Sequence, residues 1–443
     1  MACPAGVDQS TWAALLRWSM KEGADKSGTS AQPSEFKKMS KENKDWLTMV
    51  MKEGLVDLVK RAGELVDQIK ADALTPARAG TEIGADKTDD LVYAIEELQD
   101  ICEQIDFAKS LVQIGGVPPL LETLHPYLAK SMPARVRGAC FGVLATVAQN
   151  NPYAQDAFLN LGVLPLAKAV LLAPESEPAL KVKALHCLSC VVRNHTPNEA
   201  AFFSGASVRP EATAGAAGAT TAVAVAAAPE SAPAQPAPHF YFDPQGVFVE
   251  EAAASGAPSY DLGPDAALPG PEVLGKCLSS GNDPRLQKKA AFFLHALCCA
   301  LMTVNDDGAP QKPTSDVAAK AGVYFAACGP ALAALVLPAS LPPPPPTGSA
   351  GSDSEVALGQ AVDLRETALK CLVSLANAGA ARELATSHGD AFTAARDRAV
   401  EAAKTTAAKA AASGGGEESD AADAAANAAA EGALWGELLK ALA

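Results

Sequence analysis

The feature that most constrains this chain is a fourfold repetition of one apolar stripe. In each copy, apolar residues stand at offsets 0, 4, 8 and 11. Steps of four, four and three residues place all four positions on one side of an α-helix, so each copy predicts a helix with one buried face. The copies are Val136/Cys140/Leu144/Val147, Leu180/Ala184/Leu188/Val191, Leu286/Ala290/Leu294/Leu297 and Leu364/Ala368/Leu372/Leu375.

The spacing of the stripes predicts the architecture. The first two begin 44 residues apart, the length of one HEAT or armadillo unit, and the next two spacings are 106 and 78 residues. The residues by which these two spacings exceed 44 fall in Ala/Pro/Gly-rich stretches. Such stretches bury too little apolar surface to offset the entropy of ordering the chain, so we expect them to be disordered. A second repeated element predicts a helix that ends at glycine and a new helix with proline in its first turn. Its copies are Gly116-Val117-Pro118-Pro119-Leu120 and Gly162-Val163-Leu164-Pro165-Leu166.

We therefore predict an all-α protein, an armadillo-like α-solenoid of four to five helical repeats with disordered insertions and a flexible N-terminal segment. Strand signals are nearly absent outside Phe240 to Val249. An earlier repeat begins near Asp90, and its predicted core positions are Leu91, Ile95, Leu98 and Ile105. The predicted boundaries are a flexible segment with a short Trp-containing helix at 1–38, a helical region at 39–87, repeats at 88–203, a disordered Ala/Pro-rich insertion at 204–270, repeats at 271–400 interrupted by a Pro-rich loop at 338–355, and an Ala-rich acidic tail with a terminal helix at 401–443.

Composition narrows the class of partner. The chain has 36 basic and 51 acidic residues, a net charge of −15, and nucleic-acid binding rewards clustered Lys and Arg, so we expect no nucleic-acid partner. No apolar run approaches the ~20 residues of a bilayer span, so we expect no membrane partner. Ten cysteines in 443 residues are too sparse for a disulfide scaffold. Most lie in apolar helical patterns, which favours a reducing compartment: the cytoplasm, with the nucleus as a second location.

The chemistry-bearing residues form no catalytic set. The sequence has no phosphate-binding Gly-x4-Gly-Lys-Ser/Thr loop and no His-Glu-x-x-His motif. The best metal candidate is Cys187-Leu188-Ser189-Cys190 with His195. Both thiols lie in the middle of a predicted helix beside core positions, so packing explains them better than metal binding. We therefore expect no enzymatic activity, no cofactor and no metal.

A tryptophan-rich segment near the N-terminus is the clearest apolar feature outside the repeats. Trp12, Leu15, Leu16 and Trp18 share a short amphipathic stretch, and nothing adjacent in the sequence covers them. This segment either docks into a groove of a partner or folds back onto the solenoid as a cap. The sequence favours neither role.

Several short segments occur in a characteristic order along the chain. They are Leu15-Leu16-Arg17-Trp18-Ser19, Glu42 to Val59, Glu97-Leu98-Gln99, Gly115-Gly116-Val117-Pro118-Pro119-Leu120-Leu121, Gln149-Asn150-Asn151-Pro152, Val191-Val192-Arg193-Asn194-His195 and Leu286-Gln287-Lys288-Lys289-Ala290. Their order resembles the Fes-type, or Hsp-binding-protein, family of armadillo-repeat nucleotide exchange factors for the 70-kDa heat-shock protein. The resemblance covers most of 12–200 and 272–300, with weaker similarity from 320 to 385.

The resemblance implies a function. In that family the curved solenoid clasps the nucleotide-binding domain of the chaperone so that ADP leaves, and a flexible N-terminal segment aids client release. It implies a monomeric co-chaperone without a catalytic residue, whose partner is a 70-kDa heat-shock chaperone. The implied client-release segment is Trp12, Leu15, Leu16 and Trp18. For the concave partner surface we select the polar ends of successive units, with helix capping as their alternative role: Asn150, Asn151, Arg193, Asn194 and His195.

The competing hypothesis is an armadillo-type scaffold or adaptor that binds a peptide or protein partner in its concave groove. Such proteins usually carry a ladder of Asn and Trp along that groove. Asn150 and Asn194 could be two members of such a ladder, but no Trp occurs between Trp46 and Trp435.

Overall fold

The computed structural model describes residue 41 and residues 58–205, 239–242, 248–250, 260–279, 281–302, 313–337, 352–412 and 420–443. The chain divides into two compact units, Met1–Leu65 and Val66–Ala443. Helix α1 is Leu58–Ile69, followed by a π-helical turn at Lys70–Leu74 and the short helix α2 at Thr75–Arg78. The predicted Trp-containing helix lies outside the described residues.

Helical repeats make up most of the second unit. The long helix α3 is Ala85–Cys102, and each of the next three repeats has two shorter helices followed by a longer one. These are α4 Ile105–Gln113, α5 Val117–Leu124 and α6 Ala134–Ala148; α7 Pro152–Asn160, α8 Val163–Leu172 and α9 Pro178–Val192; and α10 Thr196–Ser204, α11 Gly270–Leu278 and α12 Pro284–Leu301. Successive long helices pack on one another, α3 on α6, α6 on α9 and α9 on α12. The predicted all-α class with stacked repeats is confirmed.

The four predicted stripes form the core of this stack. Every stripe residue on α6, α9, α12 and the later helix α14, Ser352–Leu375, is at most 7% exposed. Burial of one such Leu or Val side chain contributes about 1.5–3 kcal/mol, so the stripes are a major source of stability. The prediction for Ile105 was wrong, because α3 ends at Cys102 and Ile105 opens α4, where it is 46% exposed.

Left-handed glycines end the first helix of two repeats. Gly115 follows α4 with φ 72°, and Gly162 follows α7 with φ 71°. Only glycine adopts this conformation without strain, which explains its use at a helix end. The predicted equivalence of Gly116 with Gly162 holds at the start of the next helix, which each glycine directly precedes, but the left-handed conformation lies one residue earlier in the first copy. Gly116 instead caps α5 with φ −77°, and a Cβ atom there would clash with the side chain of Leu111.

The insertion leaves and re-enters the solenoid at one place, between α10 and α11. Gly205, with φ 73°, lies directly against the backbone of Ala267 and Pro269. Between these points, strands β1 His239–Phe242, β2 Phe248–Glu250 and β3 Tyr260–Asp261 form an antiparallel sheet in the order β2-β1-β3. The strand signal noted at 240–249 thus corresponds to strands within an otherwise helical chain.

The prediction of disorder over 204–270 is wrong at the C-terminal end of that range. A 3₁₀ turn at Pro264–Ala267 packs on α8, and Leu262 and Ala266 are buried. The buried ammonium of Lys168 on α8 donates a hydrogen bond to the carbonyl of Leu268 at 2.9 Å. A composition averaged over about seventy residues hides the few apolar side chains that hold this short stretch in place.

The C-terminal region is also more ordered than predicted. Helix α13 is Ser315–Val336, and a π-helical turn at Ala376–Ala380 links α14 to α15, Ala381–Ala412; α16 is Asp420–Leu442. Within the predicted tail at 401–443, the terminal helix is confirmed as α16 and is longer than predicted, and α15 extends to Ala412. Helix α16 contacts α15 and α14, and its Trp435 is fully buried, 5.7 Å from the ring of Phe392. Alanine is the best helix former, and one large aromatic side chain suffices to anchor the helix. Most of the predicted Pro-rich loop, 338–351, lies outside the described residues.

Helix α13 is an exception to the expectation that no apolar run approaches the length of a bilayer span. Its mean hydropathy of 1.5 over a membrane-length window makes it long and apolar enough to cross a bilayer by length and composition. It packs against α11 and α14, and its Tyr324 and Leu332 are buried. Its apolar composition therefore fits its place as a core helix.

Candidate partner-binding surface

The long helices α6, α9, α12 and α14 lie side by side in that order, and we call them the long-helix layer. Each turns its apolar stripe toward the core. On α9, α12 and α14 some positions between the stripe residues are exposed on the surface of the layer, including Lys183, Lys289 and Lys370, whereas α6 is buried along most of its length. A partner that lay across this surface would contact several repeats at once.

On α9, on α12 and just after α9, this surface carries three cations around a histidine. Lys183 and His186 on α9 and Lys289 on α12 are exposed, while Arg193, just after α9, is half-buried. The Arg193 guanidinium carbon lies 5.4 Å from the centre of the Phe292 ring, a geometry typical of a cation–π contact, and Phe292 is 51% exposed. We call these five residues the cationic strip.

Positive charge is concentrated in the cationic strip although the chain carries a net charge of −15. Partial desolvation lowers the pKa of His186, and the charges of Lys289, Lys183 and Arg193 lower it further. That three cations act on one imidazole places all of them close to it. Such a local field attracts an acidic surface, and an exposed aromatic ring beside it adds an apolar contact.

The predicted contact residues lie at two equivalent corners, 44 residues apart. Asn150 follows the end of α6 and Asn194 follows the end of α9; both are exposed and have left-handed backbones, with φ 52° and 61°. Among non-glycine residues, Asn tolerates this conformation best. Both corners therefore use asparagine for the backbone turn. Neither residue lies along the surface of a long helix, where members of an asparagine ladder would have to stand.

The next residue at each corner caps the following helix. The side-chain oxygen of Asn151 accepts a hydrogen bond from the backbone N–H of Ala154 at 3.4 Å, and Nδ1 of His195 accepts one from Asn198 at 3.3 Å. Because Nδ1 accepts, the ring proton lies on Nε2, which donates to Asp156 at 3.0 Å. Asn151 is 1% and His195 8% exposed. Both side chains therefore cap the N-terminal ends of helices α7 and α10, which agrees with the alternative role given for them, and their role as contact residues stays a prediction.

A buried amide network fixes the end of α9. The Gln155 side chain donates to the carbonyls of Cys190 at 2.9 Å and Arg193 at 3.0 Å. Asn198 donates to the carbonyls of Val191 and Gln155 at 2.9 and 3.0 Å. These bonds satisfy carbonyls that the helix end leaves free, and so they hold the backbone of Arg193 in place. The sequence carried one signal for this network: the amide residues Gln155 and Asn198 stand at core-facing positions of the short helices α7 and α10.

The remaining site predictions concern cysteines and the N-terminal segment. Cys187 is buried within α9, where burial raises its thiol pKa, while Cys190 is only half-buried. Within the described ranges, no group of three or more His, Cys, Asp or Glu side chains is arranged to hold a metal ion. The client-release candidates Trp12, Leu15, Leu16 and Trp18 lie outside those ranges. Arg193, Asn150 and Asn194 remain the predicted contact residues with exposed side-chain surface.

Comparison with known proteins finds similarity to one family over part of the chain. Residues 13–111 match the family described as nucleotide exchange factor Fes1. Hsp70-binding protein 1 of Mus musculus is 29% identical over 184 residues, 40% of this chain and 48% of that protein. The Hsp70 nucleotide exchange factor FES1 of Coccidioides immitis is 26% identical over 188 residues, 42% of this chain and 78% of that protein.

These likenesses are confined to part of each protein. The chain spans about half the length of the mouse and rat relatives it matches. An engineered protein of known structure aligns with 88% of this chain and 97% of its own at 15% identity, with a TM-score of only 0.41, so the fold rests on the helix packing described above. The match at residues 13–111 and the partial similarity to these relatives make this part of the chain similar to the Fes-type family.

Proposed function

We propose that this protein is a nucleotide exchange factor, and not an enzyme, that binds the nucleotide-binding domain of a 70-kDa heat-shock chaperone in the cytosol and promotes ADP release. The observation that carries the proposal is the Fes1 match over residues 13–111. Two relatives bear names that state Hsp70 binding and Hsp70 nucleotide exchange. A protein that binds the ADP-free domain more tightly than the ADP-bound domain weakens ADP binding by the same factor, so no catalytic residue is required.

The long-helix layer supplies the contact surface in this proposal. Its helices are tied together by buried stripes, so the layer can hold an opened domain without deforming itself. The cationic strip lies across two neighbouring helices of the layer and fits an acidic region of a partner. Arg193 is the central residue, since its backbone is fixed by Gln155 and its guanidinium by Phe292.

The decisive experiment measures release of a fluorescent ADP analogue from a cytosolic 70-kDa chaperone by stopped-flow. We expect the wild-type protein to accelerate release and Arg193→Glu to lower that acceleration about tenfold at low salt, because it reverses the charge of the cationic strip. Lys404→Glu is the matched control: Lys404 is an exposed lysine on α15, 3.6 Å from Glu401, and its reversal should leave the rate unchanged. No acceleration by the wild type would refute the exchange activity. Full acceleration by a folded Arg193→Glu variant would refute only the assignment of the cationic strip as the contact surface.

The N-terminal segment has a separate proposed role in client release. Removing residues 1–36 should slow release of a bound peptide client from the chaperone while acceleration of ADP release persists. An unchanged client-release rate would contradict this role. A fall in melting temperature after the same truncation would favour the alternative, a cap on the solenoid.

A further inference from the structure

A cleft opens at the start of two neighbouring repeats. It has a volume of about 330 Å³ and is lined by residues 129–134 before α6, residues 175–177 before α9, and by Arg137, Leu180, Glu82 and Ile83. Helices α6 and α9 both begin at this cleft, and neither has a side chain that caps its first turn. Uncapped helix starts carry partial positive charge and favour an anion.

Arg137 is a buried cation in the wall of this cleft. The residue is only 6% exposed, and its Nη2 donates to the carbonyl of Leu124, the last residue of α5, at 2.9 Å. Its Nε is buried, and no described residue accepts a hydrogen bond from it. A buried donor without an acceptor costs about 1–3 kcal/mol. The charge of Glu175, which also lines the cleft, acts on Arg137, but among the described residues no acceptor lies within hydrogen-bond distance of Nε.

The repeats show which acceptor fits this position. Arg137 follows the first residue of its stripe, and the corresponding residues of later repeats are Lys181, Gln287 and Arg365. In the last repeat, Nε of Arg365 donates to a carboxylate oxygen of Glu431 on α16 at 2.8 Å. In the repeat before it, Gln287 donates to the carbonyls of Leu278 and Ser279 at the end of α11, at 3.2 and 3.0 Å. One repeat position thus has two tasks, to cap the preceding helix and to hold a carboxylate.

We propose that the cleft binds a carboxylate side chain of a partner polypeptide on Arg137, between the starts of α6 and α9. The walls also carry the exposed acids Glu82, Glu175 and Glu177 and the exposed cation Lys130. The three acids repel a doubly charged anion such as phosphate. They favour a singly charged carboxylate with a basic residue next to it, so the fitting ligand is an acidic side chain adjacent to Lys or Arg.

Arginine side-chain NMR of the full chain tests this proposal directly. With ¹⁵N-labelled arginine, the Nε–H resonance that vanishes in Arg137→Gln belongs to Arg137. We expect N-acetyl-Glu-Lys-amide at millimolar concentration to shift this resonance downfield. N-acetyl-Gln-Lys-amide and inorganic phosphate should shift it at least fivefold less. Equal shifts by the Glu and Gln peptides, or none from either, would overturn the proposal.

The Arg137→Gln variant also serves as a binding test. Gln287 shows that glutamine at this repeat position still caps the preceding helix, so the variant should fold with a near wild-type melting temperature. The Glu peptide should raise the melting temperature of the wild type and not that of Arg137→Gln. An equal rise in both proteins would place the peptide elsewhere and refute the site. No chaperone enters either measurement, so failure here leaves the exchange-factor proposal untouched.

Discussion

Asn194 has a role in the backbone turn that does not depend on whether its exposed side chain contacts a partner. Its φ of 61° is unfavourable for any side chain with a Cβ, and asparagine and glycine bear it most easily. The same holds one repeat earlier at Asn150. The two asparagines are therefore explained by the corner between helices, whether or not a partner touches them.

Replacing Asn194 distinguishes the two roles. Asn194→Ala should lower the free energy of unfolding by about 1 kcal/mol, since alanine bears the left-handed strain in full. Asn194→Gly should lower it less, since glycine adopts this conformation without strain. Urea denaturation measures both. If Asn194 only shapes the backbone, the glycine variant keeps its acceleration of ADP release. Loss of that acceleration in a stable glycine variant would instead assign the side chain to the interface.

Lys168 makes a testable contribution to the pH dependence of stability. The side chain is 3% exposed, and burial lowers its pKa from 10.5 to about 8. Between these values the unfolded chain binds the proton and the folded chain does not, so this residue makes stability rise with pH from about 8 to 10.5. Below pH 8 the full cost of burying the charge is present.

We therefore expect Lys168→Met to raise the free energy of unfolding, relative to the wild type, most at or below pH 8. Its free energy of unfolding relative to the wild type should fall by about 3 kcal/mol between pH 7.5 and 10.5, as the wild type loses its buried charge. Urea denaturation of both proteins at the two pH values measures this difference, in which the titration of other groups cancels. A difference independent of pH would show that Lys168 stays protonated in the folded protein.

At the scale of elements, the insertion between α10 and α11 has two parts with different roles. Its end, 262–269, covers α8 with Leu262 and Ala266 and supplies the carbonyl acceptor of Lys168. The insertion leaves the solenoid at Gly205 and returns beside the same residue, at Ala267 and Pro269. The stability of the solenoid therefore does not depend on the length of chain between these two points.

Two deletions test this division. Removing 206–259 and joining the ends with a short Gly/Ser linker should change the melting temperature of the solenoid by no more than about 2 °C. Removing 206–268 should lower it clearly, because the deletion strips apolar cover from α8 and leaves a buried ammonium without its acceptor. Thermal unfolding followed by circular dichroism compares the two. Equal melting temperatures would mean that the packed turn contributes nothing.

These elements also show what the sequence could and could not predict. Stripe residues such as Leu144 and Leu188 were predictable, because burial of one helix face imposes a period that survives in the sequence. The buried turn at 264–267 and the anchor Trp435 were not, because a few contacts between residues far apart in the chain decide them. The same limit holds for the site. Arg193 stays a predicted contact residue at the end of a unit, but its neighbours Phe292 and Lys289 come from the next repeat, and only the packing of α9 on α12 brings them together.

For the whole molecule, the uneven charge distribution determines how binding should respond to salt. A chain of net charge −15 repels an acidic partner at long range, while the cationic strip attracts it once the long-helix layer faces it. The association rate should then depend strongly on orientation and on the short-range positive field. The Debye length is about 10 Å at 0.1 M ionic strength and about 3 Å at 1 M, so salt screens the long-range repulsion and the local attraction alike.

Two charge-reversal variants, one within the cationic strip and one outside it, separate the local attraction from the long-range repulsion. Raising ionic strength from about 0.05 to about 0.5 M should reduce the association rate of the wild type with the chaperone's nucleotide-binding domain several-fold. In the double variant Arg193→Glu/Lys289→Glu the rate should be low and should rise with salt, since only repulsion remains to be screened. Lys404→Glu adds the same kind of charge change on α15, outside the strip, and should keep the wild-type salt dependence. Association measured by stopped-flow fluorescence gives all three slopes. Identical slopes for the double variant and the wild type would show that the partner docks on a different surface, even if ADP release is accelerated.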